Sequence, residues 1–174
     1  MQIFGTDFRS HAQAEGSLPH LYILAYNLDS FLCGENMQKP SNLPIYPLAD
    51  TRTFWRSWLL YESAQRTLPV TFFLLSVANL LCGRKSNCQE HANFTSQLML
   101  SSHLWQAKSP FDFAVAWNEK EHLVMRQLDL PPVLERALPE DLDTFGKMNL
   151  VAIIGLDDAR GWCRTKGREF DVFC

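Results

Sequence analysis

Trp55, Trp58, Glu62 and Arg66 are the residues of this 174-residue chain whose spacing most invites a chemical reading. In a helix, at about 100° per residue, they fall with Leu59 on one face, so two indoles and an acid–base pair share a stripe. Glu62 and Arg66 stand at i, i+4 with the acid first, the favourable order. On an exposed helix that order contributes only about 0.2–0.5 kcal/mol. If the stripe faces inward, both charges need partners, because an uncompensated buried charge is costly. Three roles fit the pattern: a buried polar clamp that fixes helix register, a small-molecule pocket lined by Trp55 and Trp58 with the carboxylate and guanidinium as its polar contacts, or a solvated face.

Other reactive side chains are spaced less suggestively. The histidines, His11, His20, His91, His103 and His122, include no i, i+4 pair of the kind that holds zinc on one helix. Cys33, Cys82, Cys88, Cys163 and Cys174 are odd in number and form no C-x2-C pair, so neither a zinc ribbon nor a disulfide framework follows. Cys82 and Cys88 flank a polar loop, but two ligands do not make a metal site. Their plain reading is one core thiol and one loop thiol in a reducing compartment. No Gly-x-Ser-x-Gly elbow, phosphate-binding loop or dinucleotide turn is present. Glu119, Lys120, Glu121 and His122 contain a Glu/His pair suited to acid–base work, yet such a run after an apolar helix reads as a solvated turn. Asp157 and Asp158 point about 100° apart on a helix, poor geometry for one cation, and read as an exposed acidic pair. The chain is therefore expected to be no enzyme, with no catalytic, cofactor-binding or metal-ligating residues and no cofactor.

The elements that would position these groups are helical. Composition is that of a globular chain: 47 % hydrophobic, 20 % charged, with 12 Phe and 5 Trp for an aromatic core. Its length suits one domain, residues 1–168, followed by a short tail at 169–174. Residues 1–14 read as helical, and a second helix is expected from Ser17, as N-cap, to Leu32, closed by Cys33-Gly34. Pro40, Pro44 and Pro47 make residues 35–49 an extended connection, the most mobile of the first half. The Trp-bearing helix follows Asp50 as N-cap and runs to Thr67, with a kink or restart at Pro69 before residues 70–81. Residues 83–97 have loop composition. Ser109-Pro110 starts a helix through Trp117, with Asp112 near its positive end. Residues 121–130 are ambiguous, and Pro131-Pro132 precedes a short helix over 133–137. The longest helix is expected from Pro139 to a cap at Gly167, about 42 Å at about 1.5 Å per residue, with Gly155 the first place for a break. No stretch alternates as a strand should, so the fold class is all-α: a single-domain helical bundle with proline-rich connecting loops.

Charge and hydropathy restrict the partners. Formal net charge is −3, from 16 basic and 19 acidic residues, which does not favour a polyanion. Arg160, Arg164, Lys166 and Arg168 are the nearest approach to a basic stripe, and they are better explained as complementing the negative end of the last helix. The N-terminus has neither the basic region nor the apolar stretch of a secretory signal, so the Asn93-Phe94-Thr95 sequon is expected to be unused. Leu68 to Cys82 is the most apolar run, but it is short of the roughly 20 residues that span a bilayer and reads as a buried helix.

Trp55-x2-Trp58-x3-Glu62-Ser63-x2-Arg66-Thr67 resembles a helix of the fungal-specific transcription factor domain, the regulatory region of fungal binuclear zinc-cluster transcription factors. Ile3-Phe4-Gly5-Thr6-Asp7-Phe8-Arg9 with His11 to Glu15 is similar to an upstream run of that family, Leu-Phe-Asp-Gly-Asp-x-Arg-x-x-Ala-x-x-Glu. Leu104 to Ala107, Phe111 to Trp117 and Asp143-x-Phe145-Gly146-Lys147-Met148 follow in the family's order, so the resemblance covers most of residues 1–168. It implies a helical regulatory domain, N-terminally truncated and lacking the zinc cluster, whose six closely spaced cysteines are not in this sequence. It further implies a nuclear setting, a protein partner or homodimer, a possible small-molecule effector, and no direct nucleic-acid contact. Two rivals stand beside transcriptional regulation: a small-molecule binding module or uncharacterised enzyme using the Trp55/Trp58 pocket, and a non-functional truncated fragment.

Overall fold

The computed structural model describes residues 8–34, 37–84 and 97–171, with side chains from Gly16 onward. It is mostly helical, as the apolar periodicity requires, with one two-stranded sheet. The chain forms two compact units, one of residues 1–36 and 63–94 and the other of residues 37–62 and 95–174. The sequon, Cys88, His91 and Cys174 lie outside the described residues.

The first unit is a pair of long helices. Helix α1 (Phe8–Gly34) and helix α2 (Ala49–Leu81) each contain a proline, Pro19 and Pro69. Two expectations fail here. Ser17 lies inside a continuous α1 and does not cap a second helix, and α2 passes through Pro69 without restarting. A proline inside a helix forfeits a hydrogen bond and crowds the preceding turn, a penalty of about 3 kcal/mol. Tertiary burial offsets it. Leu18 and Ala25 of α1 pack with Leu68, Phe72 and Leu75 of α2, all buried, and Asn79 donates to the Tyr22 hydroxyl. Beside Pro69, the Thr67 and Thr71 hydroxyls donate to the carbonyls of Ser63 and Thr67. Among the described residues α2, with 33 residues, and not the C-terminal segment is the longest helix, and Asp50 sits inside its first turn and does not cap it.

The second unit is built from short elements. Strand β1 (Gln97–Met99) pairs antiparallel with strand β2 (Val124–Arg126), with Leu98 opposite Met125. These strands were not anticipated, because three residues are too few to show an alternation. Between them lie helix α3 (Ser102–Trp105) and helix α4 (Pro110–Glu119). Helix α4 starts as expected: Pro110 occupies its first turn and the Ser109 hydroxyl accepts from Asp112 N at 3.1 Å. Helix α5 (Pro131–Arg136) follows the double proline.

The C-terminal segment is not one helix. A 3-10 turn at Pro139–Asp141 precedes helix α6 (Thr144–Ile154) and helix α7 (Leu156–Thr165), with Asp143 capping α6 through Gly146 N at 2.8 Å. The break falls at Gly155, where φ is +86°. Gly146 is needed for space, since a Cβ there would meet Leu100 Cβ at 3.4 Å and Asp143 Oδ1 at 3.2 Å. The helices enclose a core of Leu98, Leu100, Met125, Leu130, Leu142 and Leu150.

Gly155→Ala should lower stability by about 1–3 kcal/mol, entirely through backbone strain, because no atom lies within 4 Å of the added methyl. Gly161→Ala also meets nothing, but there the helix gains up to about 1 kcal/mol. Denaturant midpoints should therefore move in opposite directions for the two substitutions.

Candidate functional site

The inward stripe of α2 is where the sequence places it. Trp58 and Glu62 are fully buried, and Trp55, Leu59 and Arg66 are half-buried. The periodicity is sufficient to produce this result, because a helix presents residues three and four apart to the same neighbour. In the second unit that neighbour is aromatic. Trp58 packs against Trp105 and Phe113, each at 5.0 Å between ring centres, and Trp55 stacks on Phe113 at 5.8 Å. Phe54 meets Trp117 edge-on at 5.1 Å. Leu43, Met99, Leu104 and Ala114 complete the cluster.

Glu62 has a partner that its helical spacing does not suggest. Lys39 Nζ donates to Glu62 Oε1 at 2.9 Å, and Met99 N donates to Oε2 at 3.4 Å. The expected clamp exists, and Lys39 supplies positive charge to it. A lysine arriving from the proline-rich connection meets the inward carboxylate end-on, and the same carboxylate accepts from the strand β1 backbone. The site thus ties a helix, a loop and a strand together.

The connection itself, extended as its prolines require, is fastened along its length. Trp117 Nε1 donates to the Pro40 carbonyl at 3.0 Å. Asn118 grips the Leu43 backbone from both sides, accepting from its N at 2.7 Å and donating to its O at 2.9 Å. Thr51 Oγ1 donates to the Pro44 carbonyl at 2.6 Å. The segment expected to be most mobile in the first half therefore covers the aromatic cluster as a strap. Its Tyr46–Pro47 peptide is cis.

His122 departs from the expected solvated turn. Glu119, Lys120 and Glu121 are exposed, whereas the His122 ring packs on Trp117 at 4.4 Å and its Nε2 lies 3.0 Å from the Trp117 carbonyl. His103 stands 6.4 Å from it, and the His103 Nε2 is buried without a hydrogen-bond partner among the described residues. Burial, then Lys120 and His122, lower the His103 pKa to about 4, against the opposing pull of Asp141. Burial lowers that of His122 too, with Lys39 adding to the shift and the Trp117 carbonyl opposing it. Both rings are therefore neutral at pH 7.

The sign of the pH dependence follows. The unfolded chain binds a proton at His103 near the ordinary pKa of 6.5, and the folded chain only near 4. The stabilising contribution of the neutral ring is fully present above about pH 6.5 and is lost as pH falls through that window. Melting temperature should drop from pH 7 to pH 4.5, and His103→Phe should flatten the drop. An unchanged slope in that variant would show that other groups dominate.

Chemically, the arrangement is an aromatic core with one buried ion pair at Glu62. Among the described residues no group of three or more His, Cys, Asp or Glu is placed to hold a metal ion. Asp157 and Asp158 are exposed on the first turn of α7, with Asp157 3.7 Å from Arg160. Cys163 is buried, and burial raises its thiol pKa. The indole N–H groups of Trp55 and Trp58 are buried without an acceptor among the described residues. Lys39, Asn118 and the His103/His122 pair were missed by sequence reasoning. Their partners lie 23 and 75 residues away for Lys39 and Asn118, and no local spacing encodes such a contact.

The basic residues near the C-terminus are engaged locally. Arg168 pairs with Glu140 at 2.8 Å, and Lys166 Nζ donates to the Glu135 carbonyl at 3.2 Å. Arg164 lies in the last turn of α7, where it complements the negative helix end. Among the described residues, no helix is long and apolar enough to cross a membrane.

No family model matches the chain, and no solved structure matches it. The chain is 27 % identical over 165 residues to the transcription factor gsfR2 of Penicillium aethiopicum, an alignment that takes in 93 % of this chain and 38 % of that protein. It is thus distantly similar to a fungal transcription factor and spans well under half of that relative's length.

Proposed function

We propose that this chain is a transcription-regulatory region, helical and non-catalytic, that acts in the nucleus through protein contacts and does not itself touch DNA. The observation that carries the reading is the similarity to a transcription factor along nearly the whole chain, 93 % of its length. The order of the Trp55–Thr67, Leu104–Trp117 and Asp143–Met148 motifs adds to it, as does the resemblance of these motifs to the fungal-specific domain. The net charge of −3 and the local pairing of Arg160 and Arg168 argue against a nucleic-acid surface.

The test is a tethered reporter assay. Fused to an unrelated DNA-binding domain, the chain should raise or lower transcription several-fold relative to that domain alone. A fusion that folds, reaches the nucleus and leaves the reporter unchanged would overturn the proposal.

A small-molecule effector is the second reading, favoured by the two buried indole N–H groups without acceptors among the described residues. An effector carrying a hydrogen-bond acceptor would quench or shift indole fluorescence, and Trp55→Phe would remove part of that response.

A further inference from the structure

We infer that the outward face of α2 in the first unit is a dimerisation surface for a second copy of this chain. The buried side of this helix carries Leu68, Phe72 and Leu75 against α1. On the opposite side Val70, Phe73, Leu74, Val77, Leu80 and Leu81 form a second apolar row, between 36 and 80 % exposed. Among the described residues of the first unit α2 packs on α1, for which one such stripe is enough; it has two.

The row itself indicates the occupant. Its spacing, 70, 73, 77 and 80, follows two heptads, with β-branched Val70 and Val77 at one core position and Phe73 and Leu80 at the other. Valine alternating with a larger unbranched or γ-branched residue is the arrangement that favours pairing of two like helices. No Asp, Glu, Lys or Arg occurs from Thr67 to Gly83, so two copies of the face meet without like-charge repulsion. The same lack of charge disfavours a membrane-surface helix, which normally carries Lys and Arg along its flanks.

The area is sufficient for a modest dimer. Six large side chains exposing roughly 100 Å² each offer about 600 Å² per copy, or about 1,200 Å² in a twofold pair, at the lower end of specific interfaces. Because the face meets itself, the assembly closes at two copies and does not propagate. An extended filament would require a second, different surface.

Light scattering coupled to size exclusion, on the full chain over a range of concentrations, tests this. The expected result is a species of twice the 20.0 kDa chain mass that dissociates on dilution. Phe73→Glu combined with Leu80→Glu should give monomer at every concentration with unchanged circular dichroism, since both side chains project into solvent. If that pair impairs folding, Phe73→Ala keeps the helix and should weaken the dimer at least tenfold, while Phe73→Leu should retain it. A wild-type monomer at tens of micromolar would overturn the proposal. So would a dimer indifferent to these substitutions, open-ended aggregation, or association only with phosphatidylcholine/phosphatidylserine vesicles. None of these readouts depends on reporter activity, so the surface and the regulatory reading stand or fall separately.

Discussion

Trp58→Ala is expected to lower the unfolding free energy by about 3–5 kcal/mol. The side chain is completely buried, and its ring touches Trp105 and Phe113 at 5.0 Å each, so truncation removes the largest apolar surface in the cluster and leaves a cavity its neighbours cannot fill. A loss of that size is a large part of the 5–15 kcal/mol typical of a folded domain. Trp55→Ala should cost less, because Trp55 is only half-buried. Chemical denaturation followed by circular dichroism measures both. Equal losses at the two positions would contradict the packing, and a near-neutral Trp58→Ala would remove it from the core altogether.

Removing the charge of Lys39 should destabilise the protein by about 3 kcal/mol, although lysines on a protein surface usually contribute little. The reason lies in its partner. Glu62 is fully inaccessible, and Lys39→Met removes the ammonium that lies 2.9 Å from its Oε1. The expected value sits at the low end for a broken buried pair, because the Lys39 side chain is 30 % exposed and water reaches its position. The double replacement Lys39→Met with Glu62→Leu should recover most of the loss, since a buried pair exchanged for apolar groups of similar size is often neutral. A double-mutant cycle in urea decides the matter. Additive losses from the two single replacements would mean that the charges do not act as a pair.

A clamp of this type ties separate segments together. It joins the first half of α2, the strap over residues 37–48 and strand β1 at one carboxylate. The His103/His122 pair lies against Trp117 of the same cluster, and its neutral rings add a dependence on pH below about 6.5.

Much of this arrangement could be read from residue order. The inward stripe through Trp58 and Glu62, the Ser109-Pro110 start of α4, the extended course of the proline-rich connection and the break at Gly155 all depend on groups within a few residues of one another. Helical periodicity, capping hydroxyls and glycine's access to positive φ act over one or two turns, and the chain records them directly. The aromatic content pointed to a core in the same way, because burying a Trp or Phe removes a large apolar area from water.

Tertiary structure alone decided the rest. Pro19 and Pro69 interrupt a helix locally, and only the packing of Leu18 and Ala25 against Leu68, Phe72 and Leu75 carries α1 and α2 through them. The two strands are too short to announce themselves, and they exist because Leu98 and Met125 are buried opposite one another. Lys39 partners Glu62 for a related reason. A salt bridge at i, i+4 is a local possibility whose strength is small, whereas a lysine delivered by a folded loop reaches a carboxylate that burial has already removed from water. The sequence by itself determined which residues face inward and where helices begin or break, through forces that act along a few neighbouring residues. Which inward residues meet, and therefore what Glu62, Asn118 and His103 do, was settled by the closing of long loops, for which neighbouring residues leave no record.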